Sequence, residues 1–189
     1  MEKLFLFLGQ FLNLTDALRE ALLSKIYIQK VKKGDVIVSE GKVCNQLFFI
    51  RKGFLRGYHC ENGKEITTWF GFENDFATST YSFISRKTGL ENIEAVEDST
   101  LYVISHRDLT EIYQNFPEFN YVGRLLTERY YVDLMERTLL LQYQSAGENY
   151  RQFVETHPHI LMRACLGHIA SYLGISQETL SRIRAKKMP

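Results

Sequence analysis

The pattern of apolar and polar positions changes near residue 110, and the two parts of the chain predict different kinds of structure. Up to residue 105, short runs rich in Val, Ile, Phe, Tyr and Thr alternate with glycine-containing turns, which is typical of β-strands. Asn62-Gly63 lies between two such runs and predicts a tight hairpin, because both residues tolerate positive φ. The predicted strands are Tyr27–Val31, Val36–Ser39, Leu47–Arg51, Phe54–Cys60, Glu65–Trp69, Ile93–Val96 and Thr100–Ser105. Many short strands with regular turns favour an antiparallel sandwich, roll or barrel.

Helical periods flank the strand-rich part on both sides. Thr15–Ile26 is predicted to be a helix, with Thr15 or Asp16 as its N-cap. Beyond residue 108 the apolar spacing lengthens, and Pro117 separates a short helix from a longer one. The predicted helices there are Asp108–Phe116, Glu118–Gln144 and Glu148–Thr156, followed by a compact helical segment from about Ile160.

The longest predicted helix carries an apolar stripe at near-heptad spacing, which Arg129 interrupts. At about 1.5 Å per residue it forms a rod of roughly 40 Å, longer than a small domain covers by itself. We therefore expect the stripe to contact a second copy of the chain; the alternative is a helix packed only on its own β-domain. The stripe residues are Val122, Leu125, Val132, Met135 and Leu139.

The segment from residue 163 to 187 predicts a helix-turn-helix. Its first helix has one apolar face, formed by Leu166, Ile169, Ala170 and Leu173. Gly174 follows where a helix ends and the backbone needs a left-handed residue, and Ser176 is a good N-cap for the next helix. Leu180 and Ile183 supply the buried face of that second helix, and small Ala170 permits two helices to cross closely.

The second helix has an exposed face suited to DNA. Arg binds guanine O6 and N7, Gln reads adenine, and Glu accepts a hydrogen bond from cytosine N4. The residues predicted to read bases are Gln177, Glu178, Ser181 and Arg182. Phosphate contacts, which supply affinity rather than sequence information, are predicted for Thr179, Arg184, Lys186 and Lys187.

The charge distribution agrees with a nucleic-acid partner, although the net charge of +1 does not indicate one. Residues 163–189 contain five Lys and Arg and one acidic residue, whereas residues 1–162 contain eighteen and twenty-one. The near-neutral total thus conceals a basic C-terminal end. The alternative is an ordinary helical hairpin whose basic face is merely solvated.

Composition limits the class of protein. An apolar fraction of 45% and a charged fraction of 24% match soluble globular chains. No apolar run is long enough for a membrane span or a secretory leader, and three dispersed cysteines indicate reduced thiols, so we expect a cytoplasmic protein without a membrane partner. The cysteines are too few for an iron–sulfur cluster, and the histidines show no metal or haem spacing. The sequence therefore predicts no metal site and no enzyme activity.

These residues, in this order, resemble the Crp/Fnr family of bacterial transcription regulators. Gln177-Glu178-Thr179-Leu180-Ser181-Arg182 is similar to the family's (R/Q)-E-T-(V/L)-(S/G)-R recognition-helix motif. Gly34-Asp35-Val36-Ile37, Glu40-Gly41 and the run from Leu47 to Gly53 resemble the glycine pattern of its cyclic-nucleotide-binding-type roll, so the likeness covers essentially the whole chain.

The resemblance implies an α+β fold in three parts. These are an antiparallel, jelly-roll-like β-roll sensor in residues 1–116, a long dimerisation helix in residues 117–145, and a helix-turn-helix in residues 146–189. It further implies a homodimer that reads a palindromic operator in double-stranded DNA through the helix at residues 176–187. A small-molecule effector and RNA polymerase are the other partners it implies.

The sequence departs from the family pattern in the effector segment. Family members that bind cyclic AMP place an arginine against the cyclic phosphate, but residues 87–92 contain no arginine, and Glu91 and Glu94 make the neighbourhood acidic. A buried phosphodiester without a cationic partner is costly, so we expect an unidentified effector other than a cyclic nucleotide, and no cofactor. The expected effector pocket comprises Asp75, Phe76, Thr78, Ser79 and Arg86.

A second departure is that the chain ends at Pro189, directly after the recognition helix, where the family has a β-hairpin wing. Fewer phosphate contacts and weaker, less salt-sensitive non-specific binding are then expected. Two other functions stay open at this point. One is a small-ligand-binding β-roll that no longer reads DNA; the other is a cupin-like enzyme, for which the closely spaced histidine ligands are lacking.

Overall fold

The computed structural model describes residues 1–185, so two of the predicted phosphate contacts, Lys186 and Lys187, lie outside the described residues. The strands within this range are β1 (Tyr27–Val31), β2 (Val36–Val38), β3 (Gln46–Lys52), β4 (Leu55–Glu61), β5 (Lys64–Gly71), β6 (Phe76–Ala77), β7 (Asn92–Ala95) and β8 (Ser99–Ser105). The helices are α1 (Glu2–Leu8), α2 (Asp16–Lys25), α3 (Thr80–Ser85), α4 (His106–Asn115), α5 (Phe119–Tyr143), α6 (Ala146–Thr156), α7 (Ile160–Arg163), α8 (Leu166–Tyr172) and α9 (Gln177–Ala185).

The strands form two four-stranded antiparallel sheets. One has the order β1-β8-β3-β6 and the other the order β2-β7-β4-β5. The β4–β5 hairpin turns at Asn62 and Gly63, which both have positive φ, as their sequence predicts. β5 is an edge strand of the second sheet, and this position matters for the rest of the molecule.

The main apolar core lies inside the β-roll and is closed by helices from both sides of the strand-rich part. Leu18 and Leu22 of α2 and Ile112 of α4 are buried against the strands. Thr15 caps α2 by accepting a hydrogen bond from the Leu18 N–H, one of the two caps the sequence offered. The antiparallel β-roll with flanking helices confirms the predicted α+β fold class.

Three elements were not predicted: α1, β6 and α3. The apolar run within Leu4–Leu8 forms α1 and contributes two buried leucines to the main core. β6 has only two residues and pairs with β3. α3 has six residues and ends at Arg86, which takes the left-handed conformation there. The unbroken apolar run of α1 shows no period, and β6 and α3 are too short to show one.

The predicted long helix is present as α5 over 25 residues. Its first turns pack on the roll, and Tyr113 of α4 lies against Gly123, where any larger residue would overlap the tyrosine hydroxyl. Beyond those turns most of its side chains are exposed. Within the described residues, no helix combines the length and the apolar character that crossing a membrane requires.

Candidate nucleic-acid interface

The segment α8–turn–α9 has the geometry of a helix-turn-helix. α8 ends at Tyr172, Gly174 follows with a φ of +68° in the left-handed region, and the Ile175 N–H closes the turn on the Ala170 carbonyl. Ser176 then caps α9, because its Oγ accepts a hydrogen bond from the Thr179 N–H at 3.2 Å. Ile169, Ala170 and Leu180 are buried where the two helices cross. The local signals of the sequence thus correspond to the observed turn.

The four residues predicted to read bases lie together on the outer face of α9. Gln177, Glu178, Ser181 and Arg182 are all exposed and form one continuous surface. The predicted phosphate contacts differ from them. Thr179 and Arg184 are half-buried, and the Thr179 hydroxyl is hydrogen-bonded to Ser176. The chemistry of the exposed face matches that of a base-reading helix, since it combines a guanidinium, an amide, a carboxylate and a hydroxyl.

The residues predicted to hold an effector make separate contacts within the roll. Asp75 accepts a hydrogen bond from the Phe72 N–H, and Thr78 donates one to the Gln46 carbonyl. The Arg86 guanidinium donates to the Cys44 and Phe83 carbonyls and to Asn45, so it is committed to the end of α3. Ser79 is fully buried, and its hydroxyl makes no hydrogen bond to the described residues. Phe76 packs in the aromatic cluster of the main core, against Phe7 and Phe49.

A half-buried carboxylate, that of Glu91, lies near this segment. Trp69 Nε1 donates to Glu91 Oε2 at 2.8 Å and Thr68 Oγ1 donates to the same atom at 3.2 Å. Both neighbours reach it because the register between β4 and β5 shifts at Thr68, a β-bulge that aims consecutive side chains at one point. Burial raises the pKa of Glu91, and the polar side chains around it, those of Trp69 and Thr68 among them, only partly oppose this rise. The surroundings therefore disfavour a further negative charge here.

The stripe residues of α5 divide into two groups. Val132, Met135 and Leu139 are exposed, with 41–52% of their surface accessible, and Leu125 is half-buried. The prediction that Val122 contacts a second copy of the chain is wrong, because Val122 is 1% exposed and lies in the main core of the roll. The first turn of the helix therefore serves its own roll, and the exposed stripe begins after it.

Comparison with known proteins gives three similarities. The family model of the cyclic nucleotide-binding domain matches residues 28–116. Electron transport regulator A of Shewanella oneidensis is 27% identical over 173 residues, 81% of this chain and 65% of that protein, so the match spans just under two thirds of the relative. A protein from Eubacterium rectale described as a transcriptional regulator of the Crp/Fnr family superposes with a TM-score of 0.73 at 25% identity, over 95% of this chain and 85% of that one. The chain is thus similar to a regulator of the Crp/Fnr family along most of its length, and residues 28–116 match the cyclic nucleotide-binding domain.

The Crp/Fnr resemblance seen in the recognition-helix motif is thereby confirmed. A further structure, FixK2 from Bradyrhizobium japonicum, shares the fold with a TM-score of 0.76 at 18% identity, covering 85% of this chain and 83% of that one. Two of these relatives are described as regulators, in agreement with the prediction that this chain is not an enzyme.

Several residues that hold the C-terminal helices against the roll have no local sequence signal. Arg163, at the end of α7, reaches two glutamates of the roll that lie 66 and 90 positions earlier in the chain. Phe70 and Phe72, which come from the strand-rich part of the chain, pack against the C-terminal helices. Among residues 1–185, no three His, Cys, Asp or Glu side chains are placed to share a metal ion. The three cysteines are unpaired.

Proposed function

We propose that the chain is a transcription regulator that binds double-stranded DNA through α9. The observation that carries the proposal is the exposed face of Gln177, Glu178, Ser181 and Arg182 on a helix whose opposite face, at Leu180, is fully buried. A helix held in this way projects its polar side chains outward, which suits entry into a major groove. Arg182 then binds a guanine, while Gln177 and Glu178 discriminate among neighbouring bases.

The regulator acts as a homodimer on a palindromic operator. The exposed stripe of Val132, Met135 and Leu139 on α5 supports this arrangement, because apolar side chains at this spacing are those that pair two helices. Two α9 helices related by a twofold axis read half-sites about 34 Å apart, one turn of DNA. Transcription changes when the bound dimer recruits RNA polymerase or excludes it.

The effector is not a cyclic nucleotide. The Glu91 carboxylate and its hydrogen-bond partners occupy the neighbourhood where a cyclic phosphate needs a cation, and Arg86 is committed to the carbonyls at the end of α3. Bringing a phosphodiester beside a half-buried carboxylate leaves both charges without compensation. A thermal-shift titration with cyclic AMP and cyclic GMP tests this, with no change in melting temperature expected. A shift of several degrees that Asp75→Ala abolishes contradicts it.

Fluorescence anisotropy tests the DNA-binding proposal. A duplex selected by the wild-type protein from a random pool is titrated with wild type, Arg182→Ala and Arg107→Ala. Arg107 is an exposed arginine on α4, so its variant controls for the loss of one charge. Arg182→Ala is expected to weaken binding by about tenfold to a hundredfold, since a bidentate arginine–guanine contact contributes roughly 1–3 kcal/mol.

The control is expected to change affinity less than threefold, and saturation is expected at two chains per duplex. If the selection yields no preferred sequence, or if Arg182→Ala binds as wild type does, the proposed function is wrong.

A further inference from the structure

The C-terminal helices, α6 to α9, do not close an apolar core by themselves. Their buried residues form one cluster with Phe54 and Val96 of the roll. Phe54 is fully buried there although it lies between β3 and β4, on the outside of the roll's own core. Phe70 of β5 continues the contact, with its ring centroid 5.2 Å from that of Tyr172 in α8. The helices are thus seated on a face of the roll that would otherwise expose several aromatic rings.

A cluster around Arg163 fixes one side of this contact. The guanidinium binds Glu73 through two hydrogen bonds of 2.9 Å and Glu97 through bonds of 2.7 and 3.2 Å. The Arg163 Cζ atom also lies 5.4 Å from the ring centroid of Phe54 and 5.7 Å from that of Phe72. Two forked pairs and two aromatic faces define the position of a planar group far more closely than a single ion pair does. We call Arg163, Glu73 and Glu97 the Arg163 cluster.

The protonation states agree with this geometry. Burial alone raises the pKa of Glu73, but the hydrogen bonds from Arg163 and from the Gly53 N–H outweigh it and lower that pKa to about 2. Hydrogen bonds to Glu97 and Glu73 raise the pKa of Arg163. All three side chains of the cluster are less than 40% exposed, so water screens them only in part. Glu73 and Arg163 are therefore both charged at neutral pH.

The edge of β5 fixes the other side of the contact. The Thr67 N–H donates to Ser171 Oγ at 2.9 Å, and that hydroxyl donates to the Glu65 carbonyl at 3.1 Å. α8 therefore satisfies backbone groups that an edge strand leaves open. Arg137 of α5 adds a hydrogen bond of 3.2 Å to the Tyr172 carbonyl and lies over the Tyr172 ring. The contact between roll and helices is held at two separate places, which restrains rotation as well as separation.

The turn from Phe72 to Asp75 connects the Arg163 cluster to the segment that the sequence predicts for an effector. The Asp75 N–H donates to the Phe72 carbonyl, and the Phe72 N–H donates to the Asp75 carboxylate at 2.9 Å. Asn74 has a positive φ within this turn. Glu73, which binds Arg163, thus belongs to the same short turn as Asp75, and a displacement of one displaces the other.

We propose that Arg163 is a positioning residue for DNA reading: it locks the C-terminal helices on the roll and so sets the direction in which α9 faces the operator. The locked arrangement is the one that binds DNA, because the reading face of Gln177, Glu178, Ser181 and Arg182 stays uncovered in it. In a dimer, the fixed orientation of each α9 sets the half-site spacing. This inference rests on the proposed function.

The test compares Arg163→Gln, Arg163→Lys and Ser171→Ala with Arg151→Gln as the control. Arg151 is an exposed arginine of α6, so its variant removes the same charge from the same set of helices. Ser171→Ala breaks the β5 contact without changing any charge. Each protein is titrated with the selected operator, with operators lengthened or shortened by one and two base pairs between the half-sites, and with unrelated DNA. Hydrogen exchange of the amides in β5 and α8 is measured without DNA.

Arg163→Gln is expected to bind the operator about tenfold more weakly, because the binding-competent orientation becomes only a fraction of the population. Its preference for the original spacing is expected to fall as well, while affinity for unrelated DNA stays within about twofold of wild type. Arg163→Lys keeps the charge but loses the forked hydrogen bonds, so its operator affinity is expected to lie between those of the wild type and Arg163→Gln. The Thr67 amide exchanges faster in both Arg163→Gln and Ser171→Ala. A residue that only stabilises the fold does not alter the spacing preference.

The inference is overturned if Arg163→Gln keeps both the operator affinity and the spacing preference of the wild type. It is also overturned if amide exchange in β5 and α8 matches that of Arg151→Gln. A wild type that selects no DNA sequence overturns the proposed function instead, and the exchange measurement then still shows whether Arg163 holds the helices on the roll.

Discussion

The two apolar cores of the molecule are built in different ways. The main core lies inside the roll and draws only on its strands, on the helices that flank it and on the start of α5. The second core draws on both parts of the chain, since Phe54 and Val96 of the roll complete the cluster formed by α6 to α9. The roll is therefore stabilised by its own core, whereas the position of the recognition helix depends on contacts with the roll.

The largest expected effect that separates the two cores comes from Phe54→Ala, with Phe48→Ala as its counterpart. Both side chains are fully buried, so each substitution is expected to lower the free energy of unfolding by about 3–5 kcal/mol. Phe48 lies in the main core and its loss weakens the roll; Phe54 lies in the shared core and its loss frees α6 to α9 first. Hydrogen exchange measured in parallel with denaturant unfolding distinguishes these outcomes.

If Phe54→Ala exposes roll and helices together, with the same pattern of exchange as Phe48→Ala, the division into a self-contained core and a shared one is wrong. Stacking of Phe54 on Phe72, with centroids 4.9 Å apart, makes some loss in the β5–β6 turn expected in either case.

Lowering the pH is expected to weaken the contact between the roll and the C-terminal helices, with a smaller effect than Phe54→Ala. The pKa of Glu73 is about 2 in the folded chain, where burial opposes but does not cancel the hydrogen bonds from Arg163 and Gly53. An unfolded Glu has a pKa of about 4.3, so the contribution of Glu73 is complete above about pH 5 and is lost as the pH falls toward 2. The groups that face Glu73 are Arg163, which stays charged, the Glu97 carboxylate on the same guanidinium, and the Gly53 N–H.

Small-angle X-ray scattering between pH 5 and pH 2.5 measures this loss. The radius of gyration of the wild type is expected to rise as the helices leave the roll, while that of Arg163→Gln is already larger at pH 5 and changes less. If the radius of gyration depends on pH in the same way for both proteins, the Arg163 cluster does not hold the C-terminal helices on the roll.

Local signals made the recognition helix predictable. Gly174 and Ser176 each act within a few residues, one by its left-handed backbone and the other by capping α9, and both were identified from the sequence. The strands were equally predictable, because apolar runs and glycine turns recur along the chain. The exposed face of α9 followed from the 3.6-residue period once the buried Leu180 was assigned.

Long-range contacts were not predictable. Arg163 binds carboxylates that lie far away in the chain, and nothing near Arg163, Glu73 or Glu97 marks them as partners. Phe70 and Phe72 pack in the shared core, and no local pattern distinguishes them from aromatic residues that lie inside the roll. Glu91 was recognised as acidic, but its hydrogen bond to Trp69 depends on the bulge at Thr68, which shifts the register by one residue.

Hydroxyl-radical footprinting of the wild-type protein on its selected duplex tests the central claim most directly, because it shows where α9 meets DNA and how many copies bind. The account predicts two protected patches on one face of the duplex, about 34 Å apart and related by a twofold axis, both weakened by Arg182→Ala. A single patch, or a uniform footprint that does not depend on sequence, would contradict it.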